Sequence, residues 1–240
     1  MIRIYHISMG RSLRVIWLME ELGEPYELVI ATLPADEAFR SVSPMATVPS
    51  IVDGDIVMGE SIAILQYLTG RRLQKSMELG LTVGPNPDPA AYAEHLQFLH
   101  LGEASLAAPL AFVLRTQRLA PDDQKANFTA EQCREVFRRR LAVVERHLAD
   151  GRAYLTGERL TIADISVGYA LHLAQVRAAQ AAADGGRSPT SSACAPGRRS
   201  SARRSSAVPR AGGYARPARR VPLAARTAPQ ALRAVAMNSG

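Results

Sequence analysis

The chain reads as an α/β unit followed by an all-helical unit, and three observations carry that reading. The first 70 of the 240 residues alternate strand and helix signals. The segment GLTVGPNPDPAAY, residues 80–92, then packs three prolines into a short stretch. Beyond it the apolar residues recur at helical spacing. This divides the chain into residues 1–75, a linker at 76–88, a helical unit at 89–176 and a tail at 177–240.

Residues 2–5, IRIY, form a short β run closed by the Gly-containing turn HISMG. In RSLRVIWLMEELG, Leu13, Ile16 and Trp17 share a helical face, and Gly23 supplies the stop. YELVI, residues 26–30, is a second strand. PSIVDGDIVM reads as a hairpin around Asp53-Gly54-Asp55, with Pro49 placed where a strand ladder would lack a donor. Ser61 reads as the N-cap of a helix over 61–68.

In the helical unit, Tyr92, Leu96, Leu99, Leu106, Leu110 and Val113 predict one apolar stripe, kinked at Pro109. Thr129 and the residues after it read as a capping box ahead of Phe137, Leu141, Val144 and Leu148. Thr161 and Asp164 form a second box, opening an apolar helix to about residue 174.

The overall charge of +7 comes from 29 basic and 22 acidic residues, unevenly spread. From Arg177 onward there are 12 Arg and one acid, Asp184, so residues 1–176 hold 17 basic and 21 acidic residues. The body is mildly acidic, and its composition gives no reason to expect a nucleic-acid partner. Ala, Arg, Pro, Ser and Gly make up 50 of the last 64 residues, a composition that predicts disorder, as in an unselected or out-of-frame extension of a GC-rich gene. No apolar run of about 18 residues and no secretory pattern is evident, so a cytoplasmic protein without a membrane partner is expected. Neither Cys133 and Cys194 nor the five histidines show metal-ligand spacing, and no metal is assigned.

Four segments, in this order and at these separations, carry a family resemblance: GRSLRVIWLMEELGEPYE, SPMATVPSIVDGD, MGESIAILQYL and YLTGERLTIADI. Over about residues 1–174 the chain resembles the glutathione S-transferases. The resemblance implies a thioredoxin-like N-terminal domain and a helical substrate domain, here incomplete where the tail takes over. It implies glutathione as co-substrate, a small hydrophobic electrophile as second substrate, and a homodimer. A non-catalytic binding or regulatory protein on the same fold, or a C-terminally damaged transferase, is the alternative.

The resemblance also assigns roles to residues. Pro49 is expected to be cis, so that the backbone N–H and C=O of Val48 pair with the tripeptide. Ser61, at a helix start, is expected to receive a carboxylate, and Glu60 the γ-glutamyl ammonium. Thr47 stands where relatives often place a Lys, Ser43 where they place Asn and Ala46 where they place Gly. Arg40 is a candidate replacement cation. The thiolate-stabilising group stays open among Ser12, Ser8 and Tyr5, or Arg11 with helix N–H groups, because Gly10 stands where serine-type relatives place a hydroxyl. Glu103 is expected to face the acceptor substrate, a partner chain or water.

Overall fold

The computed structural model describes residues 1–32 and 34–185, with side chains in the last helix as far as residue 178. Four strands form one mixed sheet in the order β2-β1-β3-β4: β1 (Ile2–His6), β2 (Tyr26–Ile30), β3 (Ser50–Asp53) and β4 (Ile56–Met58). β1 runs parallel to β2 and antiparallel to β3, and β3 pairs antiparallel with β4. The parallel pair is joined by α1 (Ser12–Leu22), the crossover that a parallel connection requires. Gly23 ends α1 at φ 61°, returning its N–H to the Glu20 carbonyl at 3.1 Å.

Alternation along β1 sorts the two faces of the sheet. Ile2 and Ile4 meet Val15, Leu18 and Met19 of α1 and Ile64, Leu65 and Leu68 of α3 (Ser61–Arg71). On the other face Tyr5 and Val52 pack with Phe39 of α2 (Glu37–Val42) in a smaller cluster. The last β1–β3 pair is Tyr5 with Ser50. Pro49 therefore lies just outside the ladder, and its missing N–H costs the sheet nothing. The Val48–Pro49 peptide bond is cis.

After α4 (Leu73–Glu78) a connection leads to α5 (Pro89–His100), whose N-cap Asp88 accepts from Ala90 and Ala91 N–H, both at 3.0 Å. The stripe predicted for this helix is partly revised: Tyr92 and Leu96 are half-buried, while His95 and Phe98 face the core. A π-helical segment, Leu101–Ala107, joins α5 to α6 (Ala108–Leu119), so the irregularity sits before Pro109, which falls in the first turn of α6. The helical stretch Pro89–Leu119, 31 residues with its π segment, is long and apolar enough to cross a membrane by length and composition only. In the fold its π segment packs against both later helices.

α7 (Phe128–Leu148) is capped by Asn127, not Thr129; the Asn127 side chain accepts from Ala130 N–H at 2.9 Å. α8 (Ile162–Gly185) runs past residue 174, so the first residues assigned to the tail are helical. The predicted disorder of the rest of the tail lies outside the described residues. The expected box at the start of α8 is present. Asp164, fully buried, accepts from the N–H groups of Leu155 and Thr161 and from the Thr161 hydroxyl, each at 2.8 Å. One continuous core joins α1 and α3 to α5, the π segment and α8. Each fully buried Leu or Ile in it contributes about 1.5–3 kcal/mol.

Candidate functional site

The turn after β1 folds tightly, with Gly10 N–H donating to the Ile7 carbonyl at 3.0 Å. A Cβ on Gly10 would sit 2.9 Å from Ile7 Cγ1 and 3.1 Å from Val48 Cγ2, so this turn and the Val48 loop are in close contact. α1 then starts with no side-chain cap. Its early Leu13 and Arg14 N–H groups turn back to Gly10 and Arg11 carbonyls, each at 3.1 Å. Nδ1 of His6 lies 2.8 Å from the hydroxyl of Ser12. Burial lowers the His6 imidazole pKa, favouring its neutral form.

The loop before β3 is held from inside. Ser43, buried, donates its hydroxyl to the Thr47 carbonyl at 3.0 Å and accepts from Thr47 N–H at 3.1 Å. Ser50 donates to the same carbonyl at 3.1 Å. Among the described residues neither the N–H nor the C=O of Val48 makes a hydrogen bond. A half-buried residue with both backbone groups unspent, just past the end of a strand, is a socket for another extended chain.

Glu60 and Ser61 open α3. Glu60 is the N-cap, at φ 63° and ψ 103°, which makes Ser61 the first helical residue and not the cap. The positive φ of a non-glycine residue is a strained conformation of the kind found at ligand clamps. Glu60 is exposed; burial lowers the Arg11 pKa, but the hydrogen bond and charge of Glu103 outweigh it and raise it, with a smaller contribution from the charge of Glu60. Ser61 is buried, and its hydroxyl oxygen accepts from Arg14 Nη1 at 3.0 Å.

Arg14 is the centre of this region. It is fully buried, and five hydrogen bonds match its five N–H groups. Nε and Nη2 donate to the Ser166 carbonyl at 3.3 and 3.0 Å, and Nη2 also donates to the Gly102 carbonyl at 3.2 Å. Nη1 donates to Ser61 and to Glu103. The guanidinium lies over the Tyr169 ring, 4.5 Å from its centroid, and the Tyr169 hydroxyl donates to the Met9 carbonyl at 3.0 Å. Arg11 Nε reaches both Glu103 oxygens, at 2.8 and 2.9 Å. Burial would raise the Glu103 carboxyl, but hydrogen bonds and charge from Arg11 and Arg14 outweigh it and hold its pKa below the usual value. One carboxylate of the helical unit thus binds two arginines from the start of α1.

The model of the glutathione S-transferase N-terminal domain matches residues 9–71, and that of the C-terminal domain matches residues 127–190. The chain belongs to the glutathione S-transferase family. The C-terminal match carries the family region beyond residue 174. "Glutathione S-transferase 3" of Schizosaccharomyces pombe is 28% identical over 195 residues, covering 73% of this chain and 75% of the relative. A glutathione transferase family member from Pseudomonas fluorescens Pf-5, solved with two glutathione molecules bound, superposes with a TM-score of 0.64 at 26% identity, covering 77% of this chain and 82% of that one. Ure2p5 from Phanerochaete chrysosporium, cocrystallized with 1-(S-glutathionyl)-2,4-dinitrobenzene, gives a TM-score of 0.61 at 25% identity, covering 72% and 76%.

Within this glutathione S-transferase fold, the residues singled out from sequence separate into groups. Val48, Gly10 and Arg11 lie on adjoining turns, with Glu60 near enough to Arg11 to act on its charge. Pro49 is buried and cis, and Thr47 is exposed with its backbone tied to Ser43. Ser8 is exposed in the turn, whereas Ser12 is fully buried against His6. Tyr5 is not brought to the turn; it stacks on Phe39 at 5.5 Å on the opposite sheet face. Arg40 spends its Nε on the Ala35 carbonyl at 3.1 Å. Glu103, half-buried, is bound by the two arginines. Sequence reading passed over Arg14, His6 and Tyr169. The spacing of Arg11 and Arg14 on one helical turn was the available signal for the first.

Proposed function

We propose that this chain is a glutathione transferase that conjugates the glutathione thiolate to small electrophiles. The observation that carries the reading is the unpaired backbone of Val48, set against the first turn of α1. The cysteinyl backbone of glutathione pairs with the Val48 N–H and C=O as a one-residue antiparallel ladder. Ser61, in the first turn of α3, takes the γ-glutamyl carboxylate, and exposed Glu60 takes the ammonium.

The thiol is thereby aimed at the turn between β1 and α1. With Tyr5 on the far face and Ser12 buried, the charge of Arg11 and the uncapped N-terminus of α1 hold the thiolate. Arg11 keeps its place because Glu103 fixes Nε. The thiol proton leaves to solvent, and the sulfur lone pair forms a bond to the electrophilic carbon. In a substitution the leaving group departs with the bonding pair; in an addition the displaced pair is protonated by water. A cytoplasmic homodimer that binds small apolar electrophiles, without membrane or nucleic acid, completes this proposal. Exposed Leu73, Met77 and Phe112 are apolar surfaces that a second copy would cover, and sedimentation of the full chain tests the dimer.

Gly10, which offers no hydroxyl, favours a second reading in which glutathione is bound but not turned over. Glutathione-affinity capture with an aryl-halide conjugation assay on the full chain separates the two. Capture with turnover is expected. Capture without turnover supports the second reading, and neither in folded protein rejects both.

A further inference from the structure

Ser61 has one hydrogen bond among the described residues, and in it the hydroxyl oxygen accepts. The donor, Arg14, has no lone pair with which to accept in return. A buried hydroxyl in this position still has a proton to give and no atom among the described residues to give it to. We infer that Arg14 is a positioning residue that fixes the polarity of the Ser61 hydroxyl, turning its O–H outward as a donor reserved for a ligand carboxylate. This rests on the glutathione-binding reading above and names the device behind its carboxylate end.

The geometry explains why an arginine serves here. Its remaining N–H groups are anchored on the carbonyls of Gly102 and Ser166 and on Glu103, so the edge facing Ser61 does not rotate. Those anchors belong to the π segment and to α8, outside the unit that carries Ser61. The approach of the two is close: a Cβ on Gly102 would fall 2.3 Å from Ser166 Oγ. The helical unit therefore sets the direction of a hydroxyl proton in the other domain.

The test is a ratio of affinities, measured by calorimetry on the full chain, for glutathione and for 4-aminobutyryl-cysteinylglycine, which lacks only the γ-glutamyl α-carboxylate. The wild type is expected to prefer glutathione by about ten- to a hundredfold, the range of a hydrogen bond to a charged group. Ser61→Ala is expected to remove most of that preference. Arg14→Lys, still donor-only, is expected to retain the larger part of it. Arg14→Gln, whose amide oxygen accepts from Ser61 and reverses the bond, is expected to lower the ratio to near that of Ser61→Ala while kcat at saturating glutathione changes less. A role in packing alone would affect the Lys and Gln variants alike, and that result overturns the inference.

Should the variants fail to fold, nitrogen NMR of the Arg14 guanidinium in the wild type reads the same contact. Its Nη resonances are expected to shift on binding glutathione and not on binding the analogue; equal shifts overturn the inference. Equal affinity of the wild type for both peptides overturns the inference alone, whereas binding of neither by folded protein removes the glutathione reading with it.

Discussion

Nδ1 of His6 and the hydroxyl of Ser12 lie 2.8 Å apart, and Ser12 is fully buried, so this hydroxyl is spent inside the protein. Ser12→Ala is expected to cost about 1 kcal/mol of stability, the usual net worth of one hydrogen bond. The thiol pKa of bound glutathione, read from thiolate absorbance, is expected to stay where it is. A large rise would return Ser12 to the chemistry.

Arg11 is expected to behave in the opposite way. Removing its charge with Arg11→Met should raise the bound thiol pKa by about one unit, equivalent to about 1.4 kcal/mol. The pH–rate profile then shifts to higher pH, because the thiolate forms later. Ser8→Ala, which removes the exposed hydroxyl of the turn, should move it much less.

Glu103 makes a pH prediction. Its carboxyl is held below its ordinary value of 4.5 despite burial, by Arg11 and Arg14. A carboxyl depressed on folding contributes stability that is complete above the unfolded pKa and lost as pH falls through the folded one. Urea unfolding between pH 3 and 7 should show that acid loss in the wild type. Glu103→Gln should be less stable at neutral pH and flatter in acid.

His95 gives a second window with the same sign. It is buried, Nδ1 has no hydrogen-bond partner among the described residues, and burial lowers its pKa to about 4. The unfolded imidazole binds its proton near 6.5, so stability is present above that pH and falls as the pH drops from 6.5 towards 4. Replacement by Phe should erase that segment of the stability curve, and NMR should show no His95 titration at pH 6.5.

Asp164→Ala should strand the Leu155 and Thr161 N–H groups, which are otherwise satisfied by its carboxylate. The loss is expected to be about 1–3 kcal/mol, against about 1 kcal/mol for Thr161→Ala, both measured by denaturant unfolding.

The box at Thr161 and Asp164 was legible because capping chemistry is local: acceptor and donors lie within a few residues. The same locality made the hairpin readable, whereas the cis form of Pro49 was expected from the family resemblance. Asn127 was missed in favour of Thr129 because both precede the same apolar run and either fits the composition of a cap. His95 was missed because an apolar count passes over a neutral imidazole in the core. Tyr5 was misplaced as a thiol partner because strand alternation leaves open which face holds the site until α2 is seen to cover one of them. Arg14 is the hardest case: its partners lie 47 to 152 residues away, and no local pattern announces them.

The five bonds of Arg14 also bear on modularity. The boundary near the linker looks like a place to cut, with a complete sheet on one side of it. Yet four of those five bonds end on the other side. An isolated piece ending at residue 75 would keep a guanidinium in its interior with most of its acceptors gone, a penalty of several kcal/mol against the few that stabilise a small domain. The two halves form a single inheritable unit, which recombination at the linker would have to exchange together with the α1 face that holds them.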